Sequence, residues 1–83
     1  MIQRREKLVA LRKNKNLTQK DVVHQLKQRY NIDITESYYG MIEQGVRTPK
    51  LEIAIAISKF FNTDVAEIFF EQQHNKMLWR RSV

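Results

Sequence analysis

Residues 18–45 read TQKDVVHQLKQRYNIDITESYYGMIEQG, and this stretch decides the fold because it contains the boundaries of two short helices. Thr18 is a favoured N-cap residue, and Asp21 three positions later completes a capping-box pattern. The apolar side of the helix that follows is formed by Val22, Val23 and Leu26. This pattern predicts a helix that begins after Thr18 and ends at Arg29 or Tyr30.

The second half of the stretch predicts a shorter helix. Residues 31–33 form a loop, Thr35 is again an N-cap type, and Gly45 is suited to the left-handed position that ends a helix. On a helical wheel Tyr39 and Ile42 lie together and are expected to face the core, whereas Ser37, Met41 and Gln44 face outward. The segment 35–45 contains two glutamates and no Lys or Arg.

The flanking sequence predicts three more helices and no strand. A first helix is expected at about residues 3–14, and a fourth runs from the Thr48-Pro49 pair, with Pro at the first helical position, to about Phe61. Asp64 and Glu67 form a second capping-box pattern that opens a fifth. Residues 53–57 are apolar at every position and are interpreted as helix. The chain is therefore predicted to be all-α, with five short helices over residues 3–70.

The composition favours one small domain with a polyanionic partner. The chain has 83 residues, no cysteine, and 15 Lys and Arg against nine Asp and Glu, a formal charge of +6. Residues 1–16 carry six basic residues and one acid. Such a charge favours nucleic acid, although many small basic domains bind none. We expect no membrane span, no signal peptide and a cytoplasmic location.

No catalytic or cofactor site is evident in the sequence. The two histidines, His24 and His74, are too few and too far apart in the chain to indicate a zinc site. No nucleophile-base pair or phosphate-binding loop is present, and no small-molecule ligand is indicated. We therefore expect neither an enzyme nor a metal or cofactor.

Motifs spread along the chain closely resemble the Cro/C1-type helix-turn-helix domain of the XRE family. They are Leu-Thr-Gln at 17–19, Ile-Glu-x-Gly at 42–45, Pro49, and an acidic cap before Glu-Ile-Phe at 67–69. The resemblance covers about residues 8–69. It implies a compact five-helix lambda-repressor-like DNA-binding domain, residues 1–70, whose third helix lies in the major groove, followed by a tail, residues 71–83.

The resemblance assigns base reading to the third helix, through Glu36, Ser37, Tyr38 and Met41. A carboxylate accepts from the cytosine amino group, a serine hydroxyl serves several base edges, and Met41 suits a thymine methyl group. The alternative for Glu36 is an acid favoured at a helix start by the helix dipole. Gly40 is interpreted as allowing close approach of DNA or of the neighbouring helix. The alternative is that a glycine is tolerated at this position without a functional reason.

The resemblance also implies phosphate-binding and structural roles. The expected phosphate contacts are Gln19, Lys20, Arg47, Thr48 and Lys50. For Gln19 the alternative is a merely exposed polar residue. Arg12 and Glu43 match a pair that forms a partly buried salt bridge between the first and third helices.

Two regions depart from the family pattern. The region 27–33 is longer than usual, so we expect a longer second helix followed by a true loop. On the fourth helix the core positions are assigned to Leu51, Ala54, Ile57 and Phe61, which leaves a second apolar stripe of Ile53, Ala56 and Phe60. Either a partner subunit or the tail must cover this stripe. We favour a homodimer whose interface includes Ile53, Phe60, Phe70 and Trp79.

Three functions remain open. The first is a sequence-specific transcriptional regulator, a dimeric repressor of a palindromic operator that binds double-stranded DNA through residues 36–44. The second is the antitoxin of a toxin-antitoxin pair, which copurification with a toxin would reveal. The third is a protein-binding adaptor without DNA binding, which the acidic third helix would favour. A gel shift with steep salt dependence separates the third from the other two.

Overall fold

A computed structural model describes residues 3–70, and these residues form five helices without a strand. The helices are α1 Glu6–Asn14, α2 Gln19–Tyr30, α3 Glu36–Gln44, α4 Leu51–Phe60 and α5 Val65–Phe69. Helix α2 packs on α3 and α4, α1 packs on α3 and α5, and α4 packs on α5. The all-α prediction and the number of helices in residues 3–70 are confirmed. The expectations for residues 71–83 lie outside the described residues.

The helix boundaries in the central stretch follow the local signals. The Thr18 hydroxyl accepts from the Asp21 amide, and the Asp21 carboxylate accepts from the Thr18 amide, so the capping box forms. Thr35 caps α3 by accepting from the Tyr38 amide. Gly45 ends α3 with φ of 82°, in the left-handed region. Each of these signals acts within a few residues, which is why the sequence predicted them.

Two boundary predictions and one capping prediction are wrong. Helix α1 begins at Glu6 rather than near residue 3, because the preceding residues run across the end of α3. The residue that caps α4 is Lys50, not Thr48, so Pro49 lies before the helix. Asp64 precedes α5 but its side chain makes no capping hydrogen bond, so the second capping box does not form.

The core lies between α4 and the helices around it. The largest fully buried side chains come from four helices: Leu8, Val22, Leu26, Tyr39, Ile42 and Ile57. Tyr39 and Ile42 face this core, as the helical wheel predicted. The longer region 27–33 extends α2 to Tyr30, and Tyr30 and Ile32 are partly buried against the core. The expected longer second helix and the loop after it are both present.

The burial of α4 corrects the predicted stripes. Leu51 was assigned to the core but is 63% exposed at the start of the helix, on the same face as Ile55, which is 37% exposed. Ala56 and Phe60 are buried within one chain, so the expectation that they form an uncovered stripe is wrong. The Phe60 ring contacts Phe61 edge-on, with ring centroids 4.8 Å apart. It also lies beneath the guanidinium of Arg29, at 5.5 Å.

Candidate nucleic-acid interface

Helix α3 is divided into a buried and an outward side. Tyr39 and Ile42 are fully buried, whereas Glu36, Ser37 and Gln44 are exposed. Met41 is half-buried on the outward side. Tyr38 is also half-buried, because part of its side chain packs against the core. Of the four residues predicted to read bases, Tyr38 is therefore the one with an additional packing role.

The outward side of α3 and the first turn of α2 together form an open concave surface. It is lined by Gln19, Thr35, Glu36, Ser37, Gly40, Met41 and Gln44. The structure thus brings together three of the predicted base-reading residues and Gln19. The lining contains no Lys or Arg. Gln44 was not among the predicted site residues, although its spacing of three from Met41 and seven from Ser37 places it on the same face.

Gln19 is held in this surface by a neighbouring helix. Its side-chain Nε2 donates to Glu43 Oε1 at 2.9 Å, and the residue is half-buried. A Cβ added at Gly40 would lie 3.3 Å from Gln19 Oε1. That distance is tighter than usual, so a side chain at Gly40 would push against Gln19. The close approach that Gly40 permits is therefore to α2, and Gln19 is not merely an exposed polar residue.

The ion pair expected between Arg12 and Glu43 is present. Arg12 Nε donates to Glu43 Oε2 at 2.7 Å, and its Nη2 donates to Oε1 at 3.1 Å. The Glu43 side chain is only 3% exposed and that of Arg12 13%. Arg12 Nη1 also donates to the Leu17 carbonyl at 3.0 Å, next to the cap of α2. One guanidinium therefore joins α1, α3 and the start of α2.

Burial and hydrogen bonding act in opposite directions on Glu43. Burial alone would raise the pKa of its carboxyl group, but the hydrogen bonds from Arg12 and Gln19 hold the pKa below its ordinary value. The bond to Glu43 in turn raises the pKa of Arg12. Burial raises the pKa of the Tyr39 hydroxyl, and the charge of Glu43 adds to that effect. Both members of the ion pair are thus charged at neutral pH.

Three basic residues and one threonine that were predicted to hold phosphates lie beside this surface in the chain. Arg47, Thr48 and Lys50 are exposed in the segment that joins α3 to α4. Lys20 is exposed in the first turn of α2, next to Gln19. None of these four lines the concave surface itself. Positive charge therefore lies before and after the outward side of α3, and not on it.

Helices α2 and α3, packed on each other across a short connection, with the outward side of α3 exposed, define a helix-turn-helix domain. A comparison with family models agrees: the model described as Helix-turn-helix, of the Cro/C1 type, matches residues 8–68. The chain belongs to this family, also called XRE, whose members are DNA-binding transcriptional regulators with the lambda-repressor-like fold. No curated protein and no solved structure matches the chain.

Within residues 3–70, no helix is both long enough and apolar enough to cross a membrane. The same part of the chain brings no three His, Cys, Asp or Glu side chains together in a way that suits a metal ion.

Proposed function

We propose that this protein binds DNA sequence-specifically and regulates transcription, with α3 in the major groove. The observation that carries the proposal is the concave surface on the outward side of α3, which presents polar and apolar side chains without Lys or Arg and is followed in the chain by a basic segment. A helix that reads bases presents such groups to the base edges, while phosphates are held from its flanks. The lack of positive charge on α3 is therefore compatible with the role.

Each exposed side chain on α3 suits a different base edge. Glu36 is an acceptor for the cytosine amino group, Met41 contacts a thymine methyl group, and Ser37 serves either a donor or an acceptor edge. Gln44 is suited to bidentate recognition of adenine. Tyr38 contributes from the margin of the surface. No Arg lines the surface for a guanine contact. The proposed site thus favours recognition of cytosine, thymine and adenine edges.

Phosphate binding is assigned to the residues that flank α3. Arg47, Thr48 and Lys50 follow the helix, and Lys20 belongs to the first turn of α2. An amide nitrogen carries two hydrogens, and Gln19 uses one of them for Glu43, so the other is free to donate to a phosphate. The free backbone amides at the start of α2 support an anion at the same place.

We further propose that the protein is a dimeric repressor of a palindromic operator. A two-fold dimer would place two α3 helices one DNA turn apart, about 34 Å. The supporting observation is that apolar side chains of the predicted interface stay accessible: Phe70 is 49% exposed, and Ile53 is only partly buried. Leu51 and Ile55 are further exposed apolar side chains, one turn apart on α4, whereas Phe60 is buried in a single chain. Trp79 lies outside the described residues and remains assigned to the interface.

Selection of bound duplexes from random DNA, followed by affinity measurements over a salt series, tests the proposal. We expect a two-fold-symmetric consensus and an affinity that falls about tenfold or more for each threefold rise in salt. Sedimentation of the free protein and of its complex reports the dimer separately. Absence of any enriched sequence would overturn the regulator proposal and favour the adaptor function, for which the Arg-free outward side of α3 is the supporting feature.

A further inference from the structure

Arg5 lies just before α1 and hydrogen-bonds to residues at and just after the end of α3, 37 to 42 positions later in the sequence. Its Nη1 donates to the carbonyl of Ile42 at 2.6 Å and to the carbonyl of Arg47 at 3.0 Å. Its backbone amide donates to the carbonyl of Glu43 at 2.8 Å. Two of these acceptors belong to the last turn of α3, and the third belongs to the segment that follows it.

The carbonyl end of α3 lacks a cation of its own. The last four carbonyls of a helix have no partner within the helix, and the end carries a partial negative charge. The last turn of α3 contains no Lys or Arg. Arg5 supplies the missing positive charge from another segment, and hydrogen bonds from a charged donor are roughly twice as strong as neutral ones. Its guanidinium also lies over the Phe69 ring at 5.1 Å, which connects it to α5.

The backbone around Gly45 leaves room for the segment that carries Arg5. A Cβ at Gly45 would overlap the carbonyl oxygen of Gln3, so the residues before α1 pass directly over the end of α3. At the same place the amides of Val46 and Arg47 donate to the Met41 carbonyl, at 3.0 and 3.3 Å. The end of α3 and the start of the next segment are therefore held from two sides.

We propose that Arg5 is a positioning residue for DNA recognition. By holding the carbonyls of Ile42 and Arg47 on one guanidinium, it fixes the outward side of α3 relative to the basic segment 47–50. The base contacts of α3 and the phosphate contacts of segment 47–50 can then form together on one DNA site. The inference rests on the proposed DNA binding, but the positioning of α3 by Arg5 is measurable without DNA.

The test compares Arg5→Lys with the matched control Arg4→Lys. Both substitutions keep the positive charge, but a lysine cannot reproduce the planar donor group of arginine. Arg4 precedes it in the same segment and is exposed, with a surface ion pair to Glu6 at 3.4 Å. The readouts are the ratio of affinities for a selected duplex and a random duplex, the salt dependence of binding, and amide hydrogen exchange in residues 45–47.

We expect Arg5→Lys to lower the affinity ratio about tenfold, which corresponds to the loss of one charged hydrogen bond, with the salt dependence unchanged. Amide exchange in residues 45–47 should become faster, and Arg4→Lys should match the wild type in all three readouts. A merely destabilising effect would lower the folded fraction, measured by circular dichroism, without changing the affinity ratio of the folded protein. That result would overturn the proposal.

A second variant separates positioning from phosphate binding. Arg5→Met removes the charge, and under the proposal its affinity ratio falls at least as far as that of Arg5→Lys, with an unchanged salt dependence. If Arg5→Lys instead behaves like the wild type while Arg5→Met reduces the salt slope by about one, Arg5 contacts a phosphate and the proposal is wrong. If the wild-type chain binds no DNA, the proposed function fails, and hydrogen exchange alone decides whether Arg5 holds α3.

Discussion

The guanidinium of Arg12 on α1 and the carboxylate of Glu43 on α3 form a bidentate ion pair, with Nε–Oε2 at 2.7 Å and Nη2–Oε1 at 3.1 Å. The same carboxylate accepts from Gln19 on α2. One of the two glutamates of α3 is thus an internal anchor, and only Glu36 remains on the outward side. Of the two acids in α3, Glu43 therefore stabilises the fold and Glu36 lies on the surface.

Removal of Arg12 alone should destabilise the domain strongly. Arg12→Met leaves the buried carboxylate of Glu43 with only Gln19 as a donor, and we expect a loss of about 3 kcal/mol in the free energy of unfolding. The double variant Arg12→Met, Glu43→Leu should lie within about 2 kcal/mol of the wild type, because it leaves no buried charge. Urea denaturation measures both. A loss below about 1 kcal/mol in the single variant would contradict a desolvated pair.

The ion pair also predicts how stability changes in acid. The pKa of Glu43 is lowered in the folded chain, so its contribution is present above the unfolded value of about 4.3 and is lost as the pH falls through the folded value. The capping hydrogen bond from the Thr18 amide lowers the pKa of Asp21 and acts in the same direction. Urea midpoints between pH 7 and pH 3 should therefore fall more steeply for the wild type than for Glu43→Gln. Equal slopes would contradict the lowered pKa of Glu43.

Two lysines at opposite ends of α4 test the phosphate contacts. Lys50 is exposed at the start of the helix, in the basic segment that follows α3, whereas Lys59 is exposed in its last turn. Lys50→Ala should weaken binding to every duplex and reduce the slope of log affinity against log salt by about one. Lys59→Ala, which removes the same charge, should leave the slope unchanged. Filter binding over a salt series measures both, and equal slopes for the two variants would exclude Lys50 as a specific phosphate contact.

The outward residues of α3 should control base preference rather than general affinity. Glu36→Ala and Met41→Ala are each expected to relax the selected sequence at one position, at a cost of about 1–3 kcal/mol for the preferred base. Gln44→Ala should do the same at a third position. Repeated selection from random DNA with each variant measures the change. Unchanged consensus sequences in all three variants would show that the base-reading assignment is wrong.

The two glycines of the chain should respond differently to alanine. At Gly45 an alanine must adopt a left-handed backbone and would overlap Gln3, so we expect a loss of about 2 kcal/mol. At Gly40 an alanine gains about 1 kcal/mol of helix propensity but pushes Gln19 away from Glu43. Its stability should stay within about 1 kcal/mol of the wild type while DNA affinity falls. Thermal unfolding and gel shifts measure both effects. A Gly40→Ala variant with unchanged affinity would contradict a role for the position of Gln19.

The sequence predicted the parts of the fold that depend on neighbouring residues. Thr18, Thr35 and Gly45 act on backbone groups within a few positions, and their caps form as expected. The inward position of Tyr39 and Ile42 follows from helical periodicity alone. The Cro/C1-type family, which fixes the arrangement of the five helices, was also evident from motifs that lie along the chain. These properties are local or repeat a known pattern, so the sequence alone predicts them.

Only the tertiary structure decided the features that depend on contacts between residues far apart in the sequence. Asp64 has the right spacing for a capping box that does not form, and Leu51 has the composition of a core residue but is exposed. Phe60 was expected to need cover from a partner subunit or from the tail, but it is buried in the structure of a single chain. Arg5 gave no signal at all, because its acceptors, Ile42 and Arg47, lie 37 and 42 residues away. Local patterns determine which segments are helical, but burial and long-range hydrogen bonds depend on which surfaces meet when the helices pack.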